Sequence, residues 1–477
     1  MQVRDRLHIG GDWVVPEGSD VIEVVSPATE QVMGRVPAGT PGDIDRAVAA
    51  ARASFDTGTW RRTAPAERAD VLDRAADLLA GRTDELARLI TDEMGSTATF
   101  SRYVQVPAPI STLRSFARLA RTFAFEEQRG GRARSLVVHE PVGVVAAIVP
   151  WNTPLLVTMS KVAPALAAGC SVVLKPSPEA PLDAFVLAEA FAEAGLPPGV
   201  LNVVPGGREA GEHLVTRRDV DKVAFTGSTA VGKRIAALCA ERLARVSLEL
   251  GGKSAAIVLD DAPLERTVRG LLGLAYVNSG QACVAQTRVL VSRARHDEFV
   301  DAFAEGSRML RVGDPADADT AIGPLVSARQ RERVEGYLAL AQQEGAKAVT
   351  GGGRPADLPT GWFVEPTVLV GVDNSMRVAR EEIFGPVVAV IPYDSPDHAV
   401  AVANDSDYGL AGSVWTTDVD AGVDVARRVR TGTYSVNGAP QSSAAPFGGF
   451  KQSGIGREFG PEGLHAYLEI KSIAVPA

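Results

Sequence analysis

Residues 171–204 read SVVLKPSPEAPLDAFVLAEAFAEAGLPPGVLNVV. An apolar run ending at Lys175, a helical stretch from Leu182 to Ala194 and a second apolar run ending at Val204 make one strand, helix, strand unit. Outward from it the rhythm repeats. VVAAIV ends at Val149, KVAFT at Thr226 and RVSLEL at Leu250, with helical stretches from Pro154 to Ala168, Glu209 to Arg217 and Ala230 to Ala240 between them. Continuous Val, Ile and Leu strands joined by helices predict a parallel sheet covered on both faces, an α/β fold. Ligands of such sheets bind beyond the carboxyl ends of the strands. The residues expected there are Pro150-Trp151-Asn152, the turn from Lys175 to Glu179, Pro205-Gly206-Gly207, Gly227-Ser228 and the turn from Glu249 to Gly252.

The alternation resumes after Gly252. SAAIVLD, a helix from Leu264 to Tyr276, TRVLVS and a helix from Asp297 to Leu310 lead to strands near Val388, Val414 and Tyr434, which predicts a second α/β unit. Glu249 then belongs to one unit and Cys283 to the other, and small-molecule sites favour such clefts. Upstream, Asp43 to Phe55, Pro65 to Ala80 and Thr83 to Met94 carry apolar residues at three- and four-residue steps and are amphipathic helices. Tyr103 to Gln128 reads as a further helix, broken by Gly130-Gly131 before RSLVVH (134–139), a strand expected at a sheet edge.

The 477 residues, 45% hydrophobic and 22% charged, suffice for two or three full cores. A net charge of −9 supplies no basic footprint for nucleic acid or anionic membrane. Cys170, Cys239 and Cys283 are odd in number and widely spaced, which fits a reducing cytoplasm better than a disulfide framework. No apolar run approaches the roughly 18 residues of a membrane helix, and none of the six histidines stands at metal-ligand spacing. Membrane and metal are therefore not expected.

Cys283 lies in VNSGQACVAQTR (277–288), where Gly280 and Ala282 leave room at the sulfur and let backbone N–H groups share the space. Such a cysteine is either an inert small hydrophobe or a nucleophile with Glu249 as its base. Asn152 is a turn former or an oxyanion donor, and Lys175 is a solvated lysine or a ribose or phosphate ligand. GSTAVGK (227–233) has P-loop spacing, but Arg234 stands where Mg²⁺ needs Ser or Thr, which rejects a nucleoside triphosphatase. What remains is a helix N-terminus able to face a pyrophosphate. No strict G-x-G-x-x-G follows a strand, although Gly206, Gly207 and Gly211 approach one.

In order and spacing, PWN (150–152), KPS (175–177), FTGS (225–228), ELGGKS (249–254), GQAC (280–283), EEIFGPV (381–387) and PFGGFKQSGIGRE (446–458) resemble the NAD(P)-dependent aldehyde dehydrogenases over nearly the whole chain. The 34-residue separation of Glu249 and Cys283 agrees. The resemblance implies an aldehyde-dehydrogenase-like α/β fold: a Rossmann-like parallel-sheet cofactor domain (1–122 and 142–251), an α/β catalytic domain (252–449) and a small oligomerisation β-element (123–141 and 450–477). It further implies oxidation of an aldehyde to the acid with Cys283 as nucleophile and Glu249 as base for water. Asn152 and the Cys283 N–H would form the oxyanion hole, with Lys161 positioning Glu249 and its proton path. Lys175 and Ser177 would contact the adenosine ribose, Ser228 the pyrophosphate, Glu382 the nicotinamide ribose and Phe384 the nicotinamide. Pro150, Trp151, Gly207, Gly227 and Leu250 would complete the cofactor site. NAD is the expected cofactor. NADP is a second candidate, because the family's frequent Glu three places after the lysine is Pro178 here, with Glu179 one place later. Small residues at Thr153, Val157, Ser160, Ala282 and Val284 predict a roomy apolar pocket for medium-chain or aromatic aldehydes. The segments 134–142 and 466–475 resemble strands that pair across subunits, which implies a homodimer or homotetramer. The rival readings are a CoA-acylating dehydrogenase, disfavoured by Glu249, and an inactive binding homologue, disfavoured by Cys283, Glu249 and Asn152 together.

Overall fold

The computed structural model describes residues 2–131 and 133–476. Five parallel strands carry the first unit: β1 (Val144–Ile148), β2 (Ser171–Lys175), β3 (Leu201–Val203), β4 (Lys222–Thr226) and β5 (Arg245–Glu249), in the order β5-β4-β1-β2-β3. Antiparallel strands close both edges: Leu7–Ile9 pairs with β3 and leads to Asp12–Val14, while Gly454–Ile455 pairs with β5. Every residue of β1 and β2 is buried, because α1 (Pro154–Ala168) and α2 (Leu182–Glu193) on one face and the helices Pro41–Thr57 and α3 (Arg208–Thr216) on the other remove both surfaces from water. The helix α4 (Thr229–Ala240) follows β4.

The strand order reverses at β1. Chain progress runs outward through β2 and β3, then returns to place β4 on the opposite side of β1. Open α/β sheets bind their ligands at this kind of switch point, in the crevice between diverging loops.

The second unit repeats the plan. Its strands β6 (Ala255–Val258), β7 (Arg288–Ser292), β8 (Thr367–Val370), β9 (Val387–Tyr393) and β10 (Gly412–Trp415) are parallel in the order β8-β9-β7-β6-β10. Lys347–Thr350 is antiparallel to β8, and Ser435–Val436 extends the far edge. Between β6 and β8 run the helices α5 (Leu264–Ala275), α6 (His296–Arg308) and α7 (Ala328–Gln343).

Two expectations are corrected. The helix proposed from Tyr103 to Gln128 is a single π turn, Ser101–Gln105, followed by a helix over Pro107–Thr122, and Glu126–Gly130 is a strand. Residues 126–130 read EEQRG and hold no helical apolar stripe; pairing with Arg134–Pro141 makes them a strand. That second strand is not at an edge. It is the middle of an antiparallel three-stranded sheet, flanked by Glu126–Gly130 and Leu468–Val475. Among the described residues, no helix is long and apolar enough to cross a membrane.

Candidate active site

At the switch point lies a cavity of about 460 Å³. Pro150, Trp151 and Asn152 reach it from the end of β1, Thr226, Gly227 and Ser228 from the end of β4, and Leu250 and Gly251 from the end of β5. The second unit contributes Cys283, Glu382 and Phe384, and α7 contributes Arg329, Gln330 and Arg333. Nucleophile candidate and crevice therefore coincide, although Cys283 and the strands beneath the crevice belong to different sheets.

The backbone before Cys283 is folded by necessity rather than preference. Asn278 and Ser279 have φ of 52° and 57°, and Gly280 has φ of 74°. A Cβ on Gly280 would stand 2.1 Å from the carbonyl oxygen of Gly385, so a side chain there is excluded on two counts. Asn278 Nδ2 donates to the carbonyl of Asn152 at 2.8 Å, and Asn152 Nδ2 donates to the carbonyl of Gln281 at 3.0 Å. The two loops are thus stitched together, and the second N–H of the Asn152 amide remains for a ligand. Cys283 is half-buried, and burial pushes its thiol up to about 12, with the carboxylates of Glu382 and Glu249 adding to the effect. The Cys283 backbone N–H acts in the opposite sense, favouring the thiolate.

Glu249 ends β5 and is buried. It is not among the residues that line the cavity. Its Oε1 faces Gly448, where a Cβ would lie 2.7 Å away, and its Oε2 is buried without a hydrogen-bond partner. Burial, then the neighbouring Glu458 carboxylate, hold its pKa well above the usual carboxylate range. Lys161, wholly buried on α1, opposes that effect: its Nζ donates to Glu458 Oε1 and to Thr226 Oγ1, each at 2.6 Å. Glu458 is a site residue that motif reading passed over. Its signal was present, a carboxylate closing PFGGFKQSGIGRE, but its partner Lys161 lies 297 residues earlier.

Around the remaining wall the proposed cofactor residues divide. Glu382 accepts the Gly252 N–H at 3.0 Å, and burial pushes its carboxyl up to about 7. A Cβ on Gly251 would stand 2.4 Å from Glu382 Oε2, so a side chain there would push the carboxylate aside. Phe384 holds φ at 64° and meets Trp151 edge to face at 5.4 Å. Its carbonyl accepts from Gln330 Nε2 at 2.7 Å, and Arg333 holds the carbonyls of Glu382 and Ile383, so one face of α7 maintains the strained turn. Ser228 caps α4, its hydroxyl accepting from the Val231 N–H, and Gly227 precedes it. The first-turn N–H groups of α4 therefore adjoin the cavity and suit an anionic phosphate. Lys233 of the P-loop-like string donates instead to Gln452 Oε1 at 2.8 Å.

Lys175, Ser177 and Gly207 do not line this cavity; they sit at the ends of β2 and β3. The Lys175 ammonium donates to the carbonyls of Pro176 and Gly206 at 3.0 and 2.8 Å, and burial lowers its pKa to about 8. Of the five small residues expected to shape a substrate pocket, Val157 lines the cavity. An anion-attracting helix start, a glycine that admits Glu382, and an aromatic pair beside the thiol together fit a dinucleotide lying across the switch point with its reactive end at Cys283.

Comparison with known proteins agrees with this chemistry. The profile described as "Aldehyde dehydrogenase family" matches residues 13–473. Geranial dehydrogenase from Castellaniella defragrans is 48% identical over 470 residues, covering 98% of each chain, and 3-succinoylsemialdehyde-pyridine dehydrogenase from a Pseudomonas species is 44% identical over 471 residues, again covering 98% of each. Among solved structures, an aldehyde dehydrogenase of Mycobacterium tuberculosis complexed with NAD+ superposes with a TM-score of 0.98 at 50% identity, covering 100% of this chain and 99% of that one. An aldehyde dehydrogenase C mutant from Pseudomonas syringae, complexed with NAD+ and octanal, superposes with a TM-score of 0.97 at 43% identity, covering 99% and 97%.

Proposed function

The chain belongs to the aldehyde dehydrogenase family, and from that membership we propose how its own residues carry out the reaction. The enzyme oxidises an aldehyde to the carboxylic acid with NAD(P)+. The observation that carries the assignment of parts is the cavity shared by Cys283, Asn152 and Glu382 at the switch point.

Cys283 loses its proton to water and adds as the thiolate to the aldehyde carbon, and the free N–H of the Asn152 amide together with the Cys283 backbone N–H holds the oxyanion. A nicotinamide dinucleotide bound here would supply the acceptor for the hydride of that carbon. Glu382, Phe384, Trp151, Pro150, Leu250, Gly227 and Ser228 line the cavity and would hold the cofactor along it, with Lys175, Ser177 and Gly207 beyond. The thioester left on Cys283 is hydrolysed by water whose proton passes to Glu249 once its side chain has swung from Gly448 toward the cavity, the unpartnered Oε2 being free to accept it. Lys161 and Glu458, paired behind Glu249, fix its electrostatic setting and supply the next proton acceptor.

The division into cofactor-binding (1–122 and 142–251), catalytic (252–449) and oligomerisation (123–141 and 450–477) domains belongs to the same proposal. So does a homodimer or homotetramer, supported by the outer strands Glu126–Gly130 and Leu468–Val475 and by exposed Ile470 and Ile473. A cytoplasmic location, in keeping with three free cysteines, completes it. For substrate, the relatives named for geranial and crystallised with octanal support medium-chain apolar aldehydes. The test is a panel of aldehydes followed by NADH absorbance with the acid product identified. Octanal and geranial should lead the panel without added CoA, and a requirement for CoA would overturn the hydrolytic reading.

A further inference from the structure

Residues 250–252 follow Glu249 at the end of β5 and lead to β6, so this turn joins the two units beneath the cavity. A hairpin lies against it. Its strands Phe450–Lys451 and Gly454–Ile455 leave Ser453 at the bend, wholly buried, and Gly454 pairs with Glu249 itself. Every polar atom of Ser453 is engaged. Its N–H donates to the Phe450 carbonyl at 3.0 Å, and its carbonyl accepts from the Leu250 N–H at 2.9 Å. Its hydroxyl donates to the Gly251 carbonyl at 2.7 Å and accepts from the Gly409 N–H at 3.0 Å.

The Gly251 carbonyl and the Gly252 N–H are the two ends of one planar peptide unit and point in opposite directions. Ser453 holds the oxygen end, and Glu382 Oε1 accepts from the nitrogen end at 3.0 Å. With glycine on both sides, no Cβ restrains that peptide from rotating as a unit. Stiffening the turn with a side chain is not open to it, since a Cβ on Gly252 would stand 2.7 Å from the Cys283 carbonyl oxygen. Rotated by half a turn, the peptide would aim its carbonyl at the Glu382 carboxylate, a repulsive contact in a buried site, and Glu382 would lose the donor that holds it. We propose that Ser453 is a positioning residue for hydride transfer: its hydroxyl fixes the Gly251–Gly252 peptide and, through it, sets Glu382, an inference that rests on assigning Glu382 to the cofactor.

The experiment compares full-length wild type, Ser453→Ala, Glu382→Gln and the double variant in two assays at one pH. The first is the pre-steady-state burst of NADH at saturating NAD+, with the aldehyde most rapidly oxidised in the panel. The second is cofactor-free hydrolysis of p-nitrophenyl acetate, in which the acetyl group passes to Cys283 Sγ as nitrophenolate leaves and no hydride moves. Ser453→Ala should slow the burst about tenfold, for the loss of one orienting hydrogen bond, while ester hydrolysis stays within about twofold. In the burst the double variant should be no slower than the slower single variant, because both act through one contact. Equal losses in the two assays, an unchanged burst, or losses that multiply in the double variant would overturn the inference. Ser453→Cys fills the same space with a weaker donor, and it carries the same test if Ser453→Ala does not fold. A wild-type burst in Glu382→Gln would remove Glu382 from the cofactor site, a separate result from a slow Glu382→Gln beside a normal Ser453→Ala.

Discussion

In the cofactor-free enzyme the Cys283 thiol should be a poor nucleophile, and its alkylation rate reports how poor. Burial and the carboxylates of Glu382 and Glu249 push it up to about 12. A free cysteine, near 8.5, is about one-quarter thiolate at pH 8, whereas a thiol near 12 is about one part in 10⁴ thiolate, a difference on the order of 4–5 kcal/mol. The sign is that of an acid disfavoured by burial and like charge, so thiolate is gained as pH rises. The rate of modification by iodoacetamide, followed from pH 6 to 10 on the Cys283 peptide by mass spectrometry, should climb about tenfold per pH unit without a plateau. Cys170 and Cys239 are buried and serve as internal controls. Replacing Glu382 by Gln removes the first-named charge and should accelerate alkylation at pH 9. An inflection at or below pH 8 in the cofactor-free wild type would refute this electrostatic account.

Two further outcomes are expected. Lys161→Met strands the buried Glu458 carboxylate and should cost about 3–5 kcal/mol of stability in urea; adding Glu458→Gln should restore most of it, and equal stability of the single and double variants would remove the pair from the account. Gly280→Ala forces a Cβ against the Gly385 carbonyl at positive φ, so a folded protein with at least about a tenfold loss of kcat is expected, the backbone strain being on the order of 1–3 kcal/mol. Wild-type kcat in that variant would show that the loop before Cys283 has slack.

Much of the parallel framework was legible because its strands and helices report their surroundings locally. Ser171–Lys175, Lys222–Thr226 and Pro154–Ala168 stand where periodicity placed them, since strands buried on both faces are continuous apolar runs. What failed was non-local. The strand Glu126–Gly130 depends on pairing with Arg134–Pro141 rather than on any propensity of EEQRG. The helix α7 went unread because it buries little, Val334 and Ala341 alone being fully buried, although Ser327 caps its first turn through the Gln330 N–H. That omission mattered, since Arg329, Gln330 and Arg333 brace the cavity and its strained turn. Cys283 and Asn152, proposed with Glu249 as a set from the order and spacing of their motifs, both line the cavity. The orientation of Glu249, away from the cavity and toward Gly448, Glu458 and Lys161, was not legible, because residues that stand 199, 209 and 88 positions away in the chain determine it.

The most direct test is to look for the acyl group itself. Glu249→Gln enzyme, mixed with octanal and NAD+ and quenched in acid, should release a burst of NADH equal to the sites present and carry an octanoyl thioester on the Cys283 peptide by mass spectrometry. Undiminished steady-state turnover with no acyl adduct on Cys283 would contradict the account.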